Sequence, residues 1–163
     1  LMIEQPLAWN DILDHVQLQK ALKTPICLDE SILDAEDARK AIEAGACQII
    51  NIKLGRVGGY SEAIKVHNVC HSRQIPVWCG GMLESGIGRA HNIALSTLQN
   101  FSLPGDVAAS KRYFHEDIVD PAIEVDPAGK IHVSPGLGIG FQPKMSRINK
   151  VTVRMKCFRS KQS

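Results

Sequence analysis

Ile49-Ile50-Asn51-Ile52-Lys53-Leu54-Gly55-Arg56-Val57-Gly58-Gly59 is the stretch on which the fold reading turns. Ile49, Ile50 and Ile52, with Gly45 before them and Gly55 after, read as a buried strand opening into a glycine-rich loop. Lys53 stands where that strand leaves the core. A lysine there is rarely fully buried unless it is paired or working, and desolvation lowers its pKa enough to make the amine a proton carrier. A strand-end lysine also packs its stem while its head reaches water, so the stretch alone admits both roles.

The same pattern returns on either side. Leu1-Met2-Ile3-Glu4 is a short apolar run that ends in a carboxylate before Gln5-Pro6, and Pro25-Ile26-Cys27-Leu28 ends in Asp29-Glu30. Ile75-Pro76-Val77-Trp78-Cys79 runs into Gly80-Gly81-Met82-Leu83-Glu84-Ser85-Gly86-Ile87-Gly88, and residues 106–110 fall where a fifth strand is due. Apolar residues at helical spacing predict helices between them. The first covers 9–23, capped by Asn10 or Asp11. The second covers 34–44, with Asp34 as N-cap, Asp37 completing a loose capping box and Gly45 as the stop. Two more cover 61–72, capped by Ser61 and Glu62, and 89–98. After Asp117, prolines and glycines punctuate a loop-rich stretch with one small strand at 130–133, and alternation at 151–155 predicts a final strand.

Glu4, Asp29, Lys53, Gly80 and Asp106 mark successive strand ends at intervals of about 25 residues, the length of one strand-loop-helix unit of a parallel sheet. A (β/α)₈ barrel has this repeat and carries its catalytic groups at the C-terminal strand ends. An open doubly wound sheet has it too, so spacing alone does not decide between them.

Composition narrows the function. Of 163 residues, 19 are basic and 17 acidic, a formal net charge of +2 that gives no field for nucleic acid. The excess is local: Lys144, Arg147, Lys150, Arg154, Lys156, Arg159 and Lys161 form an acid-free tail, read as a solvated end. Cys27, Cys47, Cys70, Cys79 and Cys157 are odd in number and form no C-x-x-C pair; four sit in apolar runs, which reads as reduced core thiols in a cytoplasmic protein. No apolar run approaches the roughly 18 residues of a membrane span, and none reads as a signal peptide.

Two carboxylates at adjacent strand ends, Glu4 and Asp29, suit a hard oxygen-preferring cation such as Mg²⁺. A lysine one strand further on suits a base that removes a proton next to a carboxylate. Each acid alone reads as a cap of the following loop; two acids and a lysine at the same point of three successive units read as a site. Gly86-x-Gly88 lacks the third glycine of a dinucleotide loop, so no nucleotide cofactor is expected. Gly55, Gly58 and Gly59 read as a tight turn or as a phosphate loop, the latter leaving a phosphate- or flavin-binding barrel as an alternative. The six histidines show no metal-ligand spacing and read as surface or helix-face residues. Glu30 reads as a partner behind Asp29 or as a loop cap, and Arg56 and Glu84 as ion-pair members at the barrel mouth or as solvated residues.

Ile3-Glu4-Gln5-Pro6, Leu28-Asp29-Glu30-Ser31, Asn51-Ile52-Lys53-Leu54-Gly55-Arg56-Val57-Gly58-Gly59 and Gly80-Gly81-Met82-Leu83-Glu84-Ser85-Gly86-Ile87-Gly88-Arg89 together resemble the enolase superfamily. The resemblance is to its muconate-lactonising group, on the o-succinylbenzoate synthase and N-acylamino-acid racemase branch. It implies an α/β fold, a modified (β/α) barrel with a separate capping domain. Residues 1–140 would form its C-terminal part, about five of eight strands, and 141–163 a strand returning toward the cap and a basic tail. It implies Mg²⁺ or Mn²⁺ held by Glu4 and Asp29, and Lys53 as one of two opposed acid/base lysines. Gly80, Gly81 and Met82 would bind a small carboxylate substrate, with Glu30, Asn51 and Glu84 in support. The other lysines, one metal-binding aspartate and the cap have no counterpart here. An incomplete barrel leaves unpaired strand edges, so the isolated chain is expected to be inactive, the complete enzyme a homo-oligomer.

Overall fold

The computed structural model describes residues 2–158. Four short strands, β1 (Ile3–Glu4), β2 (Ile26–Leu28), β3 (Ile49–Ile52) and β4 (Val77–Cys79), lie in chain order in one parallel sheet. Helices α1 (Ile12–Ala21), α2 (Ala35–Ala44) and α4 (Tyr60–Ser72) cross between them, and a single turn, α3 (Leu54–Val57), precedes α4. Parallel pairing sets Glu4 beside Cys27, Leu28 beside Ile50 and Ile52 beside Cys79. Every strand therefore delivers its next residue, Gln5, Asp29, Lys53 or Gly80, to the same edge.

Strands β2, β3 and β4 are buried on both faces, which is why they read as unbroken apolar runs, while β1 at the edge is exposed. Ile26, Leu28, Ile50, Ile52, Val77 and Cys79 pack with Ala38, Ala41, Val66 and Leu95 of the helices in the main core. Cys27, Ile49 and Trp78 form a smaller cluster on the opposite face. Each isoleucine buried this way is worth about 1.5–3 kcal/mol relative to exposure. Cys27, Cys47, Cys70 and Cys79 are free and buried, as expected of core thiols. Burial pushes Cys27 and Cys70 up to about 12 and Cys79 to about 11, so they stay protonated and inert.

The expected caps are mostly in place. Asp11 Oδ1 accepts the Asp14 N–H at 3.0 Å, and Asp34 Oδ1 accepts the Asp37 N–H at 2.8 Å. Gly45 closes α2 in the left-handed region at φ 75°. Helix α4 departs from expectation: Gly59, not Ser61, is its N-cap, and Glu62 Oε1 instead accepts the Ala35 N–H at 3.0 Å, capping the neighbouring α2. Helix α5 (Gly86–Leu95) starts three residues before the expected Arg89, because its first N–H meets an acceptor from far along the chain, Asp117.

Three expected strands are absent from the described residues. Residues 106–110 add one ladder-like bond, Asp106 N–H to Cys79 O at 2.9 Å, and then turn into a 3₁₀ segment at Ser110–Arg112. The turn carries Ser110 inward to the Asp117 carboxylate, and the parallel sheet has four strands where five were expected. Residues 130–133 pair with nothing; a small antiparallel pair forms instead from β5 (Val119–Asp120) and β6 (Gln142–Pro143). Residues 145–151 form helix α6 (Met145–Val151), and the chain continues irregularly with Val153 and Met155 exposed. Only Val151 of the expected strand falls within that helix, and residues 152–155 lie beyond it with no strand beside them, among the described residues, to pair with. Arg159 and Lys161 of the basic tail lie outside the described residues. Among the described residues no helix is long and apolar enough to cross a membrane.

The Asp34 cap gives a direct check on this local reading. Asp34→Ala should lower unfolding free energy by about 1 kcal/mol in urea titrations, with an unchanged m-value.

Candidate active site

Asp29 is the most deeply buried acid at the sheet mouth, 3% exposed. Its burial is compensated from the next strand: Lys53 Nζ donates to Oδ2 at 2.7 Å, and Arg56, one turn into α3, pairs with Oδ1. Arg56 also donates to the backbone carbonyls of Ile32, at 2.7 Å, and of Asn51. Burial pulls the Arg56 guanidinium down to about 10, which leaves it charged at neutral pH. Arg56 is thus an ion-pair member, as expected; Glu84 is not.

Glu4 and Asn51 complete the arrangement. Asn51 is fully buried, and its Nδ2 donates to Glu4 Oε1 at 2.9 Å while its Oδ1 accepts the Gly80 N–H at 2.8 Å. One amide therefore ties the ends of β1, β3 and β4. Glu4, Asp29, Glu30, Lys53, Gly80 and Asp106 share a cavity of about 600 Å³. Glu30 is exposed there, with no hydrogen bond among the described residues, so its expected support of Asp29 has no counterpart in contacts.

The Gly80–Met82 segment divides. A Cβ on Gly80 would strike the Lys53 stem and come within 2.6 Å of the Asn51 amide, and one on Gly81 would strike the Asp106 carbonyl. Glycine is required at both for the backbone to pass this close. Met82 faces away, half exposed, into a second cavity of about 690 Å³ walled by Leu54, Tyr60, Leu83 and His91. Glu84 folds back on the loop: Oε2 accepts the Met82 N–H at 2.8 Å and Oε1 accepts from Asn92 Nδ2 at 2.9 Å.

A buried ion pair that the sequence did not announce anchors this loop. Arg89 and Asp117 are each 1% exposed in their side chains and meet at 3.2 Å. Arg89 Nη2 donates to the Glu84 carbonyl at 2.8 Å, and Asp117 accepts from Gly86 N–H at 2.8 Å, Ile118 N–H at 2.7 Å and Ser110 Oγ at 2.6 Å. Arg89 lies within a quoted motif, but its partner is 28 residues away in a loop-rich stretch that carries no local signal. His15 and His67, expected at surfaces or helix faces, are on helices but turned inward.

The residues present fit a hard divalent cation. Glu4 and Asp29 offer carboxylate oxygens over one water-accessible cavity, and the structure already holds a positive charge, Lys53 Nζ, against Asp29 Oδ2. Two carboxylates do not make a complete ligand set, and no group of three acids, histidines or cysteines converges among the described residues.

A family model described as "Enolase C-terminal domain-like" matches residues 1–147. The chain belongs to that family. It is 56% identical over 97% of its length to an o-succinylbenzoate synthase of Geobacillus stearothermophilus, covering 42% of that protein. It is 52% identical over 93% of its length to an N-succinylamino acid racemase of Thermus thermophilus, covering 41% of it. A dipeptide epimerase of Cytophaga hutchinsonii, whose crystal structure contains Mg and the dipeptide D-Ala-L-Val, superposes with a TM-score of 0.84. That match is 25% identical and covers 91% of this chain and 40% of the epimerase. The chain spans about two fifths of the length of the curated relatives it matches. The four-stranded sheet agrees with the C-terminal part of an enolase-type barrel, as the motifs implied.

The Arg89–Asp117 pair carries a pH signature. Burial pushes the Asp117 carboxyl up, but the Ser110 hydroxyl, the Gly86 and Ile118 N–H groups and Arg89 outweigh it, and its pKa lies below the ordinary carboxylate value. A depressed folded-state pKa gives stability that is full above the unfolded value, about 3.9, and is lost as pH falls through the lower folded value. Asp117→Ala should cost about 3–5 kcal/mol at pH 7 in chemical denaturation, and that cost should shrink as pH drops below about 4.

Proposed function

We propose that this chain supplies the C-terminal barrel strands of a Mg²⁺- or Mn²⁺-dependent enzyme that removes a proton α to a carboxylate. The activity is that of an o-succinylbenzoate synthase, a syn dehydration feeding menaquinone assembly, with N-succinylamino acid racemisation at the same site. The observation that carries this reading is the juxtaposition of Lys53 and Asp29 at 2.7 Å, on adjacent strand ends above a cavity that Glu4 shares. The relatives' names point to the same two reactions. Under this reading residues 1–140 are barrel and 141–163 a tail, and the remaining strands and cap come from the rest of the enzyme, a cytoplasmic homo-oligomer.

Glu4 and Asp29 would hold the cation, which supplies positive charge against the substrate carboxylate and so lowers the cost of removing the neighbouring proton. Lys53, held beside Asp29, already lines the cavity and would present its amine to the substrate there. In one direction Lys53 takes the α-proton and the C–H electron pair moves into the substrate carboxylate. Racemisation returns a proton to the opposite face, from a second lysine that the family resemblance assigns to an earlier strand. Dehydration instead expels a β-hydroxyl as water on the face that lost the proton. Both outcomes begin with the same abstraction, so one arrangement serves both. Asn51 fixes Glu4 relative to Gly80 by accepting the Gly80 N–H; with the Met82 N–H taken by Glu84, the Gly81 N–H is the backbone donor of this segment left for the substrate's far end.

Exchange of the substrate α-proton with solvent deuterium isolates this step. In the complete enzyme Lys53→Ala should slow exchange into an N-succinylamino acid by about 10²–10⁴-fold. Exchange at the parental rate would remove Lys53 from its role. Chelation of divalent metal should abolish exchange and added Mg²⁺ restore it; exchange persisting in chelator contradicts the cation. The 163-residue chain alone should show none, since among the described residues no third acid joins Glu4 and Asp29.

A further inference from the structure

Taking Glu4 and Asp29 as cation ligands, as proposed above, we infer that Gln5, braced by His15, is the positioning residue that sets the separation of these two carboxylates and thereby favours a small, rigidly coordinated cation. Gln5 directly follows Glu4 in the chain, and its side chain grips the backbone of Asp29. Oε1 accepts the Asp29 N–H at 2.9 Å and the Ser31 N–H at 3.3 Å. Nε2 donates to Ser31 Oγ at 2.8 Å and to the Leu7 carbonyl at 3.2 Å. The Gln5 backbone N–H also donates to Cys27 O at 2.8 Å. The residue after one carboxylate is thus bonded to the peptide bearing the other, on the adjacent strand.

The amide suits this post and its relatives do not. Two N–H groups converge on one end and two oxygens on the other, which fixes which end is oxygen and which is NH₂. Glutamate in this place would set an oxygen against the Ser31 hydroxyl oxygen and the Leu7 carbonyl; asparagine is one methylene short. His15 stands behind it. Its ring is fully buried, with Nε2 3.5 Å from Gln5 Nε2 and Nδ1 against the Asp11 carbonyl. A carbonyl can only accept, so Nδ1 carries the proton; both hydrogens of Gln5 Nε2 go to Ser31 Oγ and the Leu7 carbonyl, and the His15 ring backs the amide by contact rather than by a third hydrogen bond. The α1 helix thereby braces the amide from the side away from Asp29.

Gln5 holds this place at a backbone conformation that side chains avoid, φ 38°, immediately before Pro6. Glycine would take that conformation without strain. A strained residue whose side chain is fully used, one position from a proposed ligand, marks a site where geometry takes precedence over backbone comfort. A bite fixed between two strand ends matters most for Mg²⁺, which demands near-octahedral geometry at about 2.0–2.1 Å. It matters less for Ca²⁺, which accepts flexible geometry at about 2.3–2.6 Å.

The test is calorimetric titration of Mg²⁺ and of Ca²⁺ into the metal-free complete enzyme, its Gln5→Met variant and its Gln5→Gly variant, with melting temperatures alongside. Gln5→Met keeps the bulk without the amide; Gln5→Gly relieves the backbone and protects folding. Both should lose Mg²⁺ affinity by about 10–100-fold and Ca²⁺ affinity by clearly less, and Gln5→Gly, freed of the backbone strain, should melt above Gln5→Met. Unchanged Mg²⁺ affinity in both variants overturns the role of Gln5. Equal loss for the two ions, in step with lost stability, overturns it too, by showing a merely structural part. A parent that binds no Mg²⁺ overturns the functional reading itself and takes this inference with it.

Discussion

A carboxylate removed from water at the mouth of a parallel sheet must be paired, and the pairing of Asp29 organises the rest of the site. Its partners come from the next unit of the chain: Lys53 from the strand end beside it, and Arg56 from the turn that follows. The short α3 segment makes this reach geometrically available, since three residues of helix bring Arg56 back over the strand end that Lys53 occupies. Arg56 in turn donates to carbonyls of the β2–α2 and β3 segments, so the ion cluster also fastens the loops that frame it. Removing Asp29 would leave two cations facing one another with their shared partner gone, the configuration that costs most in a low-dielectric setting.

Around that cluster the site rests on buried polar hubs, each bridging segments that the sheet alone would leave independent. Asn51 joins three strand ends through one side chain. Arg89 and Asp117 pin the far end of the Gly80–Ser85 loop to the segment that follows α5. Gln5 joins β1 to β2 beyond the last ladder bond. Strand pairing supplies the floor, with four parallel strands in fixed register, and the hubs convert that register into the placement of individual carboxylate and amine atoms. The apolar core could tolerate exchange of one aliphatic residue for another of like volume; the hubs cannot, because their partners are buried and would be left unsatisfied.

Much of this was legible in the residues, for a physical reason. The repeat of acid, acid, lysine and glycine at strand ends survives as a one-dimensional signal because each unit of a parallel sheet must cross and return by a helix of similar length. Asp11, Asp34 and Gly45 were readable because capping is satisfied within a few residues of the cap itself. What was not legible involves partners that sequence cannot bring together. Glu62, three residues into its own helix, looks like a cap for α4 and serves α2 instead. Residues 106–110 have the apolar character of a strand, but Ser110 is drawn to Asp117 and the fifth strand is lost to that contact. Alternation at 151–155 states only that a strand would be amphipathic; it cannot supply the neighbour that a strand requires. Gln5 stood only as the residue between a strand end at Glu4 and Pro6, and nothing in four letters reveals a left-handed backbone.

The distribution of these features separates what stabilises the fold from what the site demands. Ile26, Leu28, Ile50 and Ile52 would hold a sheet of this kind whatever stood at its mouth. A sequence selected for stability alone would continue such packing to the strand ends, since well-fitted apolar groups there do at least as well as buried charges. This chain instead gathers Asp29, Asn51, Lys53 and Arg56 at that edge and adds a residue with positive φ beside them. Strain and buried charge coincide at one end of the sheet, over one cavity; the opposite ends carry a positive φ at Gln74 and the buried Gln19 amide, but no buried ion pair among the described residues. That asymmetry is what a site built on a rigid floor requires: the floor supplies surplus stability, and the mouth uses it to hold groups in places they would not otherwise keep.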